Sequence, residues 1–224
     1  MIIKPYLSRT PQPPCGLTLK DDHPKLINEV RGMNRPLALT LTARVGLRSS
    51  ELLNVLMVVA GSLFVAGLAQ IRIPLPFTPV PITGQTLGVF LVGATMGSSR
   101  AALSLGLYLL EGSLGLPFFA GGASGWHHVF GPTGGYLLGF ILAAYVVGHF
   151  AERGWDRSIP RVAAMFALGE VIILGLGALV LSRFIGLEKA WLGGILPFLP
   201  GDAFKALIAA LLLPTAHKIV DPQS

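Results

Sequence analysis

The chain has 224 residues, 52% of them hydrophobic and only 12% charged, and its mean hydropathy is +0.67, whereas soluble domains carry about a quarter charged residues. Water is therefore excluded as its main solvent. A net charge of +6 does not mark a nucleic-acid binder, because eight of the seventeen Lys and Arg lie before residue 51 and are not interleaved with aromatics.

Those eight basic residues read instead as a positively charged cytoplasmic flank. Residues 1–50 lack a signal peptide's compact apolar stretch. Pro5, Pro11, Pro13, Pro14, Pro24 and Pro36 forbid a long helix through most of the segment. It is expected to be a polar, poorly ordered extension. The lone Cys15 forbids an internal disulfide, and no CxxC or HExxH spacing offers a metal site.

The first span is Leu52 to Ile71, twenty residues that match the hydrocarbon thickness at helical rise. Residues 72–83 carry four prolines and cannot form a regular helix, so they belong at the interface or over a cavity. A short second span follows, about Gly84 to Gly97. The third runs from about Ala101 to Leu116. Residues 117–131 form an uncharged loop rich in glycine and aromatics. A fourth span begins at Pro132, suited to a first helical turn, and continues to about Phe150. The fifth covers about Arg161 to Leu181. The sixth begins near Trp191, breaks at Pro197 and Pro200, and resumes from Asp202 to Leu213.

The fold expected is therefore an all-α integral membrane protein, a six-transmembrane-helix bundle over 51–217 with a short cytoplasmic tail at 218–224. With both termini inside, thirteen basic residues lie on the inner side, and only Arg72, Arg183 and Lys189 lie outside. This count supports an N-in, C-in arrangement. It also puts the connections 72–83, 117–131 and 183–200 on one outer side, with a binding site beneath them.

Four ionisable residues fall within the spans: Glu111, Glu170, Asp202 and Lys205. Each costs several kcal/mol or so in lipid unless paired or facing a cavity. Asp202 and Lys205 are three apart and share a helix face. The pair either fastens its own helix or presents Lys205 to an anionic ligand while Asp202 holds the ammonium. Gln85 offers an amide donor and acceptor suited to a cyclic urea, or caps the Pro-rich turn. Tyr108 and Glu111 are one turn apart and can add a hydroxyl and a carboxylate to the same cavity. Phe118, Phe119, Trp126 and Tyr136 wall an apolar pocket or anchor the interface. His127 and His128 have no partner spacing for metal. Gly134 and Gly135 permit close helix approach, as do Ser62 and Ala66, four apart on the first span. Facing inward, that pair is packing; facing outward, it is a docking stripe.

Four motifs carry a resemblance: Ile73-Pro-Leu-Pro-Phe-Thr-Pro-Val-Pro-Ile-Thr-Gly-Gln-Thr86, Gly115-Leu-Pro-Phe-Phe-Ala-Gly-Gly122, Gly131-Pro-Thr-Gly-Gly-Tyr-Leu137 and Pro197-Phe-Leu-Pro-Gly-Asp-Ala-Phe-Lys205. In this order the chain from about residue 52 to 216 resembles the BioY family of biotin transporters. The resemblance implies a multi-pass substrate-binding S component of an energy-coupling factor (ECF) transporter in the bacterial cytoplasmic membrane. It implies biotin as ligand and no cofactor in the chain itself. As partners it implies a transmembrane coupling subunit and ATP-binding cassette ATPases. Asp202 and Lys205 match the family's binding residues, Gln85 and Tyr136 fall in its motifs, and Ser62 and Ala66 fall at its docking stripe, with serine replacing the first alanine. Glu170 stands where a neutral polar residue is expected.

Two other readings remain: the same architecture for another small anionic vitamin, or a solitary facilitated carrier. The chain has no GxxxxGK[ST] segment, so it does not energise transport with ATP by itself. Pro200-Gly201-Asp202 resembles part of the Gly-x-Gly-Asp motif of intramembrane aspartyl proteases. Leu199 replaces the first glycine and no second intramembrane Asp completes a dyad. No catalytic residue is expected.

Overall fold

The structure, a computed structural model, describes residues 36–38 and 51–220. The expectation for the N-terminal extension, including Cys15, lies almost wholly outside the described residues. Helix α1 spans Glu51–Ala69. The two-residue strands β1 (Arg72–Ile73) and β2 (Ile82–Thr83) then pair antiparallel, Arg72 opposite Thr83 and Ile73 opposite Ile82. All four prolines of this segment fall between the strands, where a missing N–H takes nothing from the ladder. Helices α2 (Gln85–Met96) and α3 (Ser98–Ser113) follow, joined at Gly97. The short α4 (Trp126–Val129) interrupts the next connection.

Helix α5 (Gly134–Ala151) is the central element of the bundle and packs against α2, α3 and α6. A 3-10 turn at Trp155–Arg157 leads into α6 (Ile159–Ile185), whose 27 residues reach about 40 Å. The short α7 (Leu187–Gly194) and long α8 (Leu199–Val220) complete the described chain. Thus the described residues hold eight α-helices, two more than the spans expected. The extra two, α4 and α7, are short elements within connections.

The expected sixth span is corrected in two places. Its early part from Trp191 belongs to the separate helix α7, and α8 begins at Leu199 rather than Asp202. Pro200 lies in the first turn of α8, where no intrahelical N–H bond is lost, so it starts the helix instead of breaking it. The helix also passes Pro214 and runs three residues into the expected tail.

Four helices, α1, α5, α6 and α8, are long and apolar enough to cross a membrane, and α2 is a shorter apolar helix. Leu56, Leu63 and Phe64 on α1, Val171 and Leu179 on α6, and Leu207 and Leu211 on α8 are all exposed. Such a belt is unfavourable in water and natural against acyl chains. The interior is built around Val65, Val89, Phe90, Leu105, Val147, Met165 and Phe166, with Phe90 stacked on Phe166 at 4.7 Å between ring centroids.

Polar contacts tie together the end of the bundle opposite the β pair. Glu152, after α5, accepts the Ser98 N–H at 2.8 Å and the Ser98 hydroxyl, holding the first turn of α3. Asp156 and His217, both buried, join the 3-10 turn to the end of α8 at 2.5 Å. Asp156→Ala leaves the imidazole without its partner and is expected to lower unfolding stability by about 1–3 kcal/mol. Thermal denaturation in detergent checks this, and an unchanged midpoint refutes it.

Candidate binding cavity

A cavity of about 170 Å³ opens where the β pair, the connection from α3 to α5 and the start of α8 converge. One polar wall is made by Asp202, only 4% exposed, and Lys205. Their spacing on α8 puts both on one face, and the Lys205 ammonium donates to Asp202 Oδ1 at 2.8 Å and to the Thr86 hydroxyl at 2.7 Å. Thr86 in turn donates to the same Asp202 oxygen at 3.1 Å. Asp202 Oδ2 is buried without a partner, and one ammonium proton of Lys205 has no acceptor assigned by these bonds. The wall therefore offers an incoming molecule one donor and one acceptor.

Gln85 lies beside Thr86 at the start of α2. Its amide nitrogen donates to the Tyr108 oxygen at 2.6 Å, while its carbonyl accepts from Thr83 at 2.9 Å. Tyr108 donates to the Phe118 carbonyl at 3.2 Å. This chain of bonds fixes the amide's orientation and leaves a second N–H for the cavity.

The remaining wall is apolar, with Phe119, Tyr136, Phe140, Ile173 and Phe198 among its side chains. Tyr136 donates to the Gly194 carbonyl at 2.8 Å, joining α5 to α7. Its ring lies over Gly177, where an added Cβ would approach the ring to 2.2 Å. Absence of a side chain at Gly177 is what lets the ring lie flat against α6.

Arg72 and His128 line the outer part. Gly121 adopts a positive φ of 69°, which favours glycine, and a Cβ there would meet the Arg72 side chain at 2.4 Å, so the arginine would have to shift to admit one. His128 has its pKa pushed below the usual histidine range, first by burial and then by the neighbouring His127.

The structure brings Asp202, Lys205, Gln85 and Tyr136 together around one cavity. Tyr108 stands behind Gln85, fully buried. Glu111 does not line the cavity; it accepts a hydrogen bond from Ser62 between α3 and α1. Phe118 contributes a carbonyl to Tyr108, and the next residue, Phe119, supplies the ring at the wall. Ser62 and Ala66 are buried, so the small pair faces inward as packing and presents no outward docking stripe. Glu170 lies close to Asp202 and Lys205, with both carboxyl oxygens buried and unpartnered. Sequence reasoning passed over Thr86, Arg72 and His128 as site residues. Thr86 had a usable signal, since it follows Gln85 at a helix start.

A family model described as BioY family matches residues 40–222. A biotin transporter BioY of Thermotoga maritima is 40% identical over 148 residues, covering 66% of this chain and 86% of that protein. One of Rhizobium etli is 38% identical over 149 residues, 62% of this chain and 79% of the relative. Among solved structures, the crystal structure of an S-component for biotin from an ECF-type ABC transporter superposes with a TM-score of 0.68 at 26% identity. It covers 75% of this chain and 92% of the other. With the family match extending over most of its length and through every element around the cavity, this chain belongs to the BioY family.

Proposed function

We propose that the chain captures biotin and serves its uptake as the S component of an ECF-type transporter. The observation that carries this reading is the Asp202–Lys205–Thr86 cluster in a largely apolar cavity, in a member of the BioY family. Biotin has a carboxylate, a ureido ring that needs donors and acceptors, and an apolar thioether ring. These groups match Lys205, the Gln85 amide with Asp202, and the aromatic wall. The two relatives described above are named biotin transporters and the solved neighbour an S-component for biotin.

The reading includes six membrane-crossing helices, α1, α2, α3, α5, α6 and α8, with both termini on the cytoplasmic side of the bacterial inner membrane. The basic-residue count supports this orientation. So does the gathering of the cavity and the Pro- and Gly-rich connections at one end of the bundle. A coupling transmembrane subunit and ATPases supply the energy. Transport is then binding and release without covalent chemistry. Ser62 and Ala66 being buried, the coupling subunit docks on other residues of the lipid-facing surface.

In the first orientation of biotin, its carboxylate meets Lys205. Arg72 at the outer part of the cavity favours a second orientation, with the ureido ring at Asp202 and Lys205 and the carboxylate at Arg72. Equilibrium binding of labelled biotin to the purified chain in detergent tests the function, with biotin methyl ester as the uncharged competitor. The parent is expected to prefer biotin to the ester by about tenfold or more. Under the first orientation Lys205→Ala removes that preference and Arg72→Ala keeps it; under the second the outcomes exchange. No binding by a folded parent refutes the biotin reading.

A further inference from the structure

Glu170 is an ionisable group the binding scheme leaves without a task. It sits on α6 one turn before Ile173 and Leu174, which line the cavity. Both of its carboxyl oxygens are buried without a donor, and so is Asp202 Oδ2, on a side chain only 4% exposed. Three buried carboxyl oxygens therefore lack donors while a single ammonium serves the cluster. The two carboxyl groups adjoin closely enough that a proton on one can bond the other.

The elements packed against α6 bring little else to bear on this pair. Helix α2 has no ionisable residue and contributes Thr86. The Tyr136 hydroxyl of α5 is committed to Gly194, Tyr145 is exposed, and His149 stacks on Tyr145 near the far end of that helix. Glu188 and Lys189 of α7 and Arg157 of the 3-10 turn are exposed. Asp156 is bound to His217, and Lys218 lies at the other end of α8. Among the described residues, Asp202 and Lys205 are the charges that reach Glu170. Two ionised carboxylates against one ammonium would leave net negative charge in a water-poor site, a costly arrangement. One proton removes that charge and satisfies two of the three oxygens.

We propose that the Glu170–Asp202 carboxyl pair is a proton-binding site coupled to the cavity, so that the chain takes up a proton together with its anionic ligand. The proposal rests on the biotin reading above. With the proton in place the cluster is neutral, and a carboxylate approaching Lys205 meets no uncompensated negative charge. Without it, the anion meets repulsion. By reciprocity each of the two, anion and proton, strengthens binding of the other. Ligand affinity therefore falls as pH rises through the range in which the empty pair loses its proton, by up to roughly tenfold per pH unit.

Calorimetric titration of the full chain with biotin, in buffers of different ionisation enthalpy between about pH 6 and 9, counts the protons directly. The parent is expected to show net uptake growing toward one proton per biotin at the alkaline end, with affinity falling in step. In Glu170→Gln, where an amide replaces the carboxyl, uptake disappears and affinity becomes independent of pH over that range. Absence of uptake by the parent, or equal uptake by Glu170→Gln, overturns the proposal; the second result moves the proton to another group such as His128. If neither protein binds biotin at any pH, the biotin reading itself falls.

Discussion

Lys205→Ala is expected to weaken biotin binding by on the order of 10²–10³-fold, the consequence of removing one member of a buried, hydrogen-bonded charge pair. Lys205 holds Asp202 and Thr86 through bonds of 2.8 and 2.7 Å. Truncation takes away the cation beside the ligand and also leaves Asp202 as an uncompensated carboxylate in the cavity wall. Both effects act against an anion, so the loss exceeds that of a single neutral hydrogen bond. Arg72→Ala provides the comparison. Arg72 is solvent-exposed, and its charge is worth less in water than that of a buried group. Equilibrium binding with purified variants measures the ratio, and a melting curve on each confirms that it is folded. A folded Lys205→Ala protein with the parental dissociation constant would remove this residue from the site.

The same spacing rule that found Asp202 and Lys205 misplaced Glu111, and the contrast shows what periodicity can tell. Residues three apart share a helix face, but spacing does not say which neighbour that face meets. On α8 the face meets the cavity and Thr86 of α2. On α3 Tyr108 turns toward Gln85 while Glu111 reaches Ser62 of α1. Whether Ser62 and Ala66 faced in or out was undetermined for the same reason. The first five spans were legible to within a few residues because long apolar runs bounded by glycine or proline leave few alternatives. Helix α7 was not legible. Its eight residues mix Glu188 and Lys189 with Trp191 and lack a bilayer-length apolar run. Pro200 misled because a proline costs nothing in a first turn, and the helix it starts also passes Pro214, beyond the expected end of the span. Phe118 and Phe119 are alike in sequence terms, and only the turn between α3 and α4 decides which ring reaches the wall.

Gly135→Val is expected to cost more than about 3 kcal/mol of stability and to leave little folded protein. Gly135 and Gly139 form a four-residue repeat on α5 that brings its backbone against α6. A Cβ at Gly135 would lie 2.3 Å from the Leu176 carbonyl oxygen and 2.8 Å from Val180 Cβ; at Gly139 it would lie 3.0 Å from Ile173 Cα. The nearest obstacle is backbone, so rotation of a side chain cannot relieve it, and the two helices must separate. Separation draws Tyr136 and Phe140 on α5 away from Ile173 and Leu174 on α6, residues that together wall the cavity. Any protein that does fold should therefore bind ligand weakly as well. Gly175→Val is the control on α6, since a Cβ there meets nothing within 4 Å; it is expected to change stability by less than about 1 kcal/mol. Yield of monodisperse protein and thermal denaturation in the same detergent compare the two. Parental stability in Gly135→Val would mean that this glycine contact does not hold α5 against α6, and the account of how the cavity's apolar wall is assembled would fail with it.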